Sequence, residues 1–261
     1  MIISGKRAVA YFDILGFKAK IDGMPLEDLS EKYEKLITHT NGQFTLEGEK
    51  LVSKQVCIRY IFSDSIFLIA EEDSEESFED LITYAWRMMQ IAIASGLPLR
   101  GAISYGDIYA NLNRNIFLGK SITDAVILEG KQNWIGAVVE DSAIERYGTV
   151  FAEGHPSYPL LNLLLPVYCV PLKDGTQKEY HVINWRQNMA SEIGIKPLFQ
   201  NEPYSDAVQE KINNTLCFSK AIVDSKHAYF IDTVVPVRYR KLYVTKNPPN
   251  DNTRFINGDE Y

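Results

Sequence analysis

Two short acidic motifs carry the chemistry this chain could do. Ala10-Tyr11-Phe12-Asp13-Ile14-Leu15-Gly16-Phe17 and Tyr60-Ile61-Phe62-Ser63-Asp64-Ser65-Ile66-Phe67 each set one carboxylate where an apolar, β-prone run breaks. Brought about 5 Å apart from adjacent strands, two such carboxylates repel by roughly 3 kcal/mol at an effective dielectric of about 20. A fold tolerates this when a cation lies between them or when one is protonated. Mg²⁺ or Mn²⁺ held by only two protein carboxylates keeps open positions for phosphate oxygens of a nucleoside triphosphate. Two such ions can deprotonate an attacking hydroxyl and neutralise a leaving pyrophosphate. For either aspartate alone, a turn or capping role is the competing reading.

The elements that must position them follow from periodicity. Residues 7–14 alternate as a strand, with Ala10, Phe12 and Ile14 on one face and Val9, Tyr11 and Asp13 on the other. Gly16 ends it. Leu26, Leu29, Tyr33, Leu36 and Ile37 give residues 26–40 a helical stripe. Residues 56–62 and 65–70 form a tight hairpin about Ser63-Asp64. On its incoming strand Tyr60 shares the parity of Asp64, and Arg59 has the opposite one. The acidic run Glu71 to Glu76 reads as the solvated start of a helix over about 77–95, buried along Phe78, Leu81, Ile82, Ala85, Met88, Met89 and Ala92. Leu99 to Tyr105 reads as a strand ending at Gly106-Asp107, followed by a hairpin tip at 111–115 and a return at 116–118. Gly119 then opens a helix through about Lys131, and residues 134–140 form another strand. The order is β-α-β-β-α-β plus a further hairpin, helix and strand, which predicts an α+β fold with a ferredoxin-like core.

Beyond about residue 150, Pro156, Pro159, Pro166 and Pro171 punctuate short strands, 204–225 reads as a helix, and the Pro/Asn/Asp-rich tail from about 246 reads as a loose arm. These make a C-terminal α/β elaboration, 149–261, packed on a domain of 1–148.

Composition narrows the classes. The 261 residues are 46% hydrophobic and carry a net charge of −7, which disfavours a nucleic-acid partner but not a mononucleotide. Three cysteines (Cys57, Cys169, Cys217) without CxxC spacing argue against a disulfide framework or zinc site and fit a reducing cytosol. No signal peptide or membrane-length apolar run is expected, so the chain reads as cytoplasmic with no membrane partner. His39, His155, His181 and His227 lack metal-site spacing, neither a G-x-S-x-G elbow nor a Walker loop occurs, and Trp86, Trp134 and Trp185 read as core.

Tyr11-Phe12-Asp13-Ile14-Leu15-Gly16-Phe17 closely resembles the F-x-D-I-x-G-F signature of class III nucleotide cyclases. Phe62-Ser63-Asp64-Ser65 resembles that family's second metal motif, with Ser63 in place of its glycine. Leu99 to Asp107 resembles its R-x-G-I-x-x-G strand. The resemblance spans about residues 7–140. It implies two Mn²⁺ or Mg²⁺ ions per site on Asp13, Asp64 and the Ile14 carbonyl, and phosphate binding at Gly16, Phe17 and Lys18. Where adenylate cyclases carry an adenine-reading lysine, this chain has Tyr60, which cannot supply that cationic donor. In this the chain looks most like the pyrimidine cyclases of the Pycsar antiphage system, whose pattern implies a tyrosine and an arginine as base readers, here Tyr60 and Arg100. Alignment on Gly119 puts Thr123 and Ile127 where the family carries its transition-state asparagine and arginine. Lys120 and Thr123 are then the available transition-state or phosphate contacts, with Lys131 as further charge.

The expected function is uridylate cyclisation, UTP to cyclic UMP and pyrophosphate, in antiphage defence. The expected partners are a second copy of the chain completing the sites and a cyclic-nucleotide effector on a separate chain. The alternatives are a cytidylate cyclase acting on CTP and a catalytically degenerate nucleotide-binding or dimerisation module on the same fold. A diguanylate-cyclase or polymerase-like palm enzyme is disfavoured by the absence of a GGDEF motif and by the net negative charge.

Overall fold

A computed structural model describes residues 1–40, 44–47, 50–53, 56–186 and 205–225. The expected loose arm from 246 lies outside them. The elements run β1 (Ile2–Ile14), α1 (Phe17–Gly23), α2 (Leu26–Thr40), β2 (Phe44–Glu47), β3 (Lys50–Ser53), β4 (Cys57–Phe62), β5 (Ser65–Ala70), α3 (Glu75–Ala94), β6 (Leu99–Asn111), β7 (Ile116–Gly119), α4 (Lys120–Lys131), β8 (Ala137–Val139), α5 (Asp141–Tyr147), α6 (Tyr158–Leu164), β9 (Val167–Pro171), β10 (Gln177–Val182) and α7 (Asp206–Asp224).

The main sheet has the order β4-β5-β1-β6-β8-β10-β9, with β7 paired to β6 and β2-β3 a separate hairpin. Strands β4, β5, β1 and β6 pair antiparallel with one another in that order. With the crossovers through α2 and α3, they form the ferredoxin-like βαββαβ core of an α+β fold. Strand β8 joins parallel to β6, and the hairpin β9–β10 extends the sheet beyond it.

The alternation read from β1 is what divides the interior. Ala8, Ala10, Phe12 and Ile14 join Ile66, Leu68, Phe78, Leu81 and Met89 in the larger apolar cluster under α3. Val9 faces the other way, in a second cluster with Ile3, Ile58, Ile69, Ile108 and Ala110. Each fully buried Leu, Ile or Phe contributes about 1.5–3 kcal/mol relative to exposure. Every residue of the predicted α3 stripe is buried, and so are Glu79, Asp80 and Tyr84 on its other side. Arg59 of β4 donates to the Tyr84 hydroxyl at 2.7 Å, and the C-terminal third meets the flank that carries Glu79 and Trp86. Ser157 donates to Glu79 Oε2 at 2.6 Å, and Trp86 Nε1 donates to the Asn184 carbonyl at 3.0 Å.

Two expectations are corrected. Strand β6 does not end at Gly106-Asp107, because β1 starts at Ile2 rather than residue 7. Arg7 pairs with Gly106, and the extra length of β1 pairs Lys6 with Asp107 and Ile2 with Asn111. The acidic run before α3 is not merely solvated: Asp73 accepts from Arg146 Nε at 3.0 Å, Tyr105 at 2.9 Å and Tyr147 at 3.2 Å, and so ties the start of α3 to β6 and α5.

Candidate active site

Asp13 stands at the C-terminal end of β1, with Ser65 of β5 on one side and Arg100 of β6 on the other. Asp64 occupies the β4–β5 turn, and the Ile14 amide donates to its carbonyl at 3.0 Å. That bond fixes the two acidic motifs in one corner. Ser63 holds this turn with φ 55°, a left-handed conformation that suits the glycine it replaces in the resembled motif. The turn is braced from the helical side. Tyr33 of α2 donates its hydroxyl to the Ser63 carbonyl at 2.5 Å, and its ring meets Phe17 edge-on at 6.0 Å. Gly16, at φ 70°, turns the chain from β1 into α1. Gly16 and Lys18 are exposed there, and Phe17 is half-buried.

The corner is electrostatically crowded. Burial, then the negative charges of Glu129 and Asp64, push the Asp13 carboxyl up to about 6, against the opposing pull of Arg100 and Lys173. Burial, then Asp64 and Asp13, raise the Tyr33 phenol. A carboxylate disfavoured by its neighbours in this way is one whose ionised form a cation would restore. Asp13, Asp64 and the Ile14 carbonyl therefore fit a hard divalent ion that retains open positions, although among the described residues no group of three or more His, Cys, Asp or Glu is placed to hold a metal.

Arg100 is buried, and its guanidinium is occupied: Nε donates to Glu129 Oε1 at 2.5 Å and an amino group donates to the Gln132 carbonyl at 3.0 Å. Tyr60 lies two strands from Asp13 on the same side of the sheet. It pairs with Phe67, which pairs with Tyr11, and its ring packs on Phe117 at 4.5 Å. In one chain Tyr60 and Arg100 do not converge.

Lys120 and Thr123 are also remote from Asp13. They begin α4 beside Gly106, which pairs with Arg7, and from Arg7 to Asp13 the strand rises roughly 20 Å. Lys120 is exposed and paired with Asp124 at 2.5 Å, and the Thr123 hydroxyl donates back to the Gly119 and Lys120 carbonyls. Within a single chain, only the opposite end of α4, through Glu129, reaches the corner.

Tyr33, Glu129, Lys173 and Lys211 were not singled out from the sequence as parts of this corner. For Glu129 a signal existed: it continues the spacing of Ser121 and Ala125 on the buried stripe of α4, where an acid needs a partner. The two lysines gave none.

No family model and no curated protein matches the chain. Solved structures do resemble it. The guanylyl cyclase Cya2 is 10% identical with a TM-score of 0.43, over 69% of this chain and 91% of that one. The guanylate cyclase domain of RhGC from Catenaria anguillulae in complex with GTP is 11% identical with a TM-score of 0.45, over 70% and 98%. A class III adenylyl cyclase-like ATP-binding protein from Pseudomonas aeruginosa is 13% identical with a TM-score of 0.38, over 59% and 38%. At these values neither the chemistry nor the ligands of those proteins carry over.

Proposed function

We propose that the chain is a pyrimidine nucleotide cyclase of the class III kind, converting UTP to 3′,5′-cyclic UMP and pyrophosphate. The observation that carries this reading is the meeting of Asp13 and Asp64 at one corner through the Ile14–Asp64 hydrogen bond, with the Asp13 carboxyl raised by burial and by its acidic neighbours. Asp13, Asp64 and the Ile14 carbonyl would hold Mn²⁺ or Mg²⁺, which supplies activation of the ribose 3′-hydroxyl and charge for the departing pyrophosphate. The bond from the 3′-oxygen to the α-phosphorus forms as the bond from the α-phosphorus to the bridging oxygen breaks. The hydroxyl proton leaves to solvent. The backbone at Gly16, Phe17 and Lys18 receives the phosphates.

Tyr60 offers the base a ring and a hydroxyl with no hydrogen bond to any described residue, and a neutral donor–acceptor suits a pyrimidine edge. Arg100 serves as the second base reader only when its guanidinium leaves Glu129. Since Lys120 and Thr123 lie far from Asp13 of their own chain, their contacts would come from a second copy arranged head to tail. The product would act on a separate effector in antiphage defence.

The test is incubation of the purified chain with Mn²⁺ and each of the four NTPs, with products identified by mass spectrometry. Cyclic UMP is expected; cyclic CMP alone would move the assignment to CTP. Asp13→Ala and Asp64→Ala should each cut turnover at least a hundredfold while the fold is retained by circular dichroism. Release of no pyrophosphate from any NTP would overturn the reading.

One observation favours a second reading, a nucleotide-binding module without turnover. The candidate donors of α4 are engaged within the helix, since the Thr123 hydroxyl donates to the Gly119 carbonyl and Lys120 pairs with Asp124, while Ile127, a turn further on, offers no donor. Calorimetric binding of UTP without product would select it.

A further inference from the structure

The C-terminal third brings two lysines to the same corner. Residues 131–135, the segment leaving α4, are the hub. Arg100 donates to the Gln132 carbonyl at 3.0 Å. From the β9–β10 turn, the Lys173 amide donates to the Lys131 carbonyl at 2.8 Å. From α7, Asn214 donates to the Asn133 carbonyl at 2.8 Å, and the Thr215 hydroxyl accepts from the Ile135 amide at 2.9 Å. Lys211 sits one helical turn before Thr215, whose hydroxyl donates to its carbonyl at 2.7 Å, so it shares the face of α7 turned to this segment.

The ion pairing there is incomplete. Glu129 is the one buried carboxylate among these cations, and it is already engaged by Arg100 at 2.5 Å. Neither the Lys173 nor the Lys211 ammonium makes a hydrogen bond or ion pair with a described residue. Lys211 is half-buried, and burial together with Arg100 and Lys173 holds its ammonium below the ordinary lysine range. Lys173 lies close enough to feel both Glu129 and Asp13. Two cations with no ion pair to a described residue, one of them half-buried beside a third, form an arrangement that a multiply charged anion completes.

We propose that Lys173 and Lys211 form a polyphosphate subsite beside Asp13, which makes helix α7 and the β9–β10 turn part of the nucleotide site rather than packing alone. The anion is the triphosphate tail of a nucleotide or free polyphosphate of the same chemistry. Placing it at the nucleotide site rests on the cyclase reading; the affinity for polyphosphate does not.

The probe is inorganic tripolyphosphate, titrated calorimetrically into the full chain in EDTA, so that no divalent ion contributes. The wild type should bind it. Lys211→Gln and Lys173→Gln should each weaken binding by about tenfold, the loss of one charge-assisted contact. Lys211→Arg should restore most of it, and Lys220→Gln, on an exposed position of the same helix, should change nothing. Circular dichroism checks that each variant is folded. Affinity for UTP should fall with that for tripolyphosphate, and affinity for uridine should not. Undiminished tripolyphosphate binding by both glutamine variants, or none by the wild type, overturns the subsite. Tripolyphosphate binding that is lysine-dependent in a chain that cyclises no NTP keeps the subsite and removes the cyclase. Turnover with no lysine dependence of tripolyphosphate binding does the reverse.

Discussion

Asp13 is the residue on which the chemistry and the stability of this protein pull in opposite directions. Its carboxyl is raised from 3.8 to about 6, so the folded protein binds its proton more tightly than the unfolded chain does. The stability this adds is fully present below about pH 4 and is lost as pH rises through about 6. Near neutrality the ionised side chain therefore destabilises the metal-free protein. The full shift would correspond to about 3 kcal/mol, and solvent screening of a half-buried group reduces this to about 1 kcal/mol. Asp13→Asn should raise the melting temperature in EDTA at pH 7.5 by a few degrees and have no effect at pH 4. Added Mn²⁺ should raise the wild-type melting temperature and leave the variant where it was. A wild type more stable than Asp13→Asn in EDTA at pH 7.5 would refute the assigned environment.

At the scale of elements, the corner is only as exact as the strands that end there. Gly101 of β6 lies opposite Phe12, the residue before Asp13. A Cβ at position 101 would fall 2.4 Å from the Phe12 ring and 2.7 Å from the Tyr11 carbonyl. Neither can move without displacing Asp13, so Gly101→Ala should cost about 2–3 kcal/mol by urea denaturation and lower turnover beyond what the loss of folded protein explains. The α2–turn contact is the other brace. Removing the Tyr33 hydroxyl deletes one hydrogen bond to the Ser63 carbonyl, about 1 kcal/mol, and frees the turn that carries Asp64.

At the scale of the whole molecule, the proposed cyclisation needs groups that one chain keeps apart. Strand β7, away from the Asp13 corner, exposes Leu118 at 60%, α4 exposes Ile127 at 55%, and the end of β4 exposes Phe62 at 70%. A second copy that covers these residues would also bring Lys120 and Thr123 to a corner they cannot reach in their own chain. Leu118→Glu should leave the melting temperature within about a degree, because the residue is exposed. It should shift the sedimenting species from dimer to monomer and abolish turnover. A wild type that sediments as a monomer while active would exclude the shared site.

The sequence by itself determined the pieces whose physics is local. Alternation along β1 set which side chains face α3 and put Asp13 on the opposite side. The Ser63-Asp64 turn, the helical stripes of α2 and α3, and the β-α-β-β-α-β order follow from spacing over a few residues. What only the tertiary structure decided was convergence. Arg100 carried the right charge to read a base, but its direction was set by Glu129, buried on a helix 29 residues later. Lys173 and Lys211 look like ordinary surface lysines in sequence, and the hydrogen bonds of residues 131–135 bring both of them to Arg100 and Glu129. Periodicity tells a residue which face it occupies. Which faces meet, and in what register, depends on packing summed over strands and helices far apart in the chain, and no local pattern contains that sum.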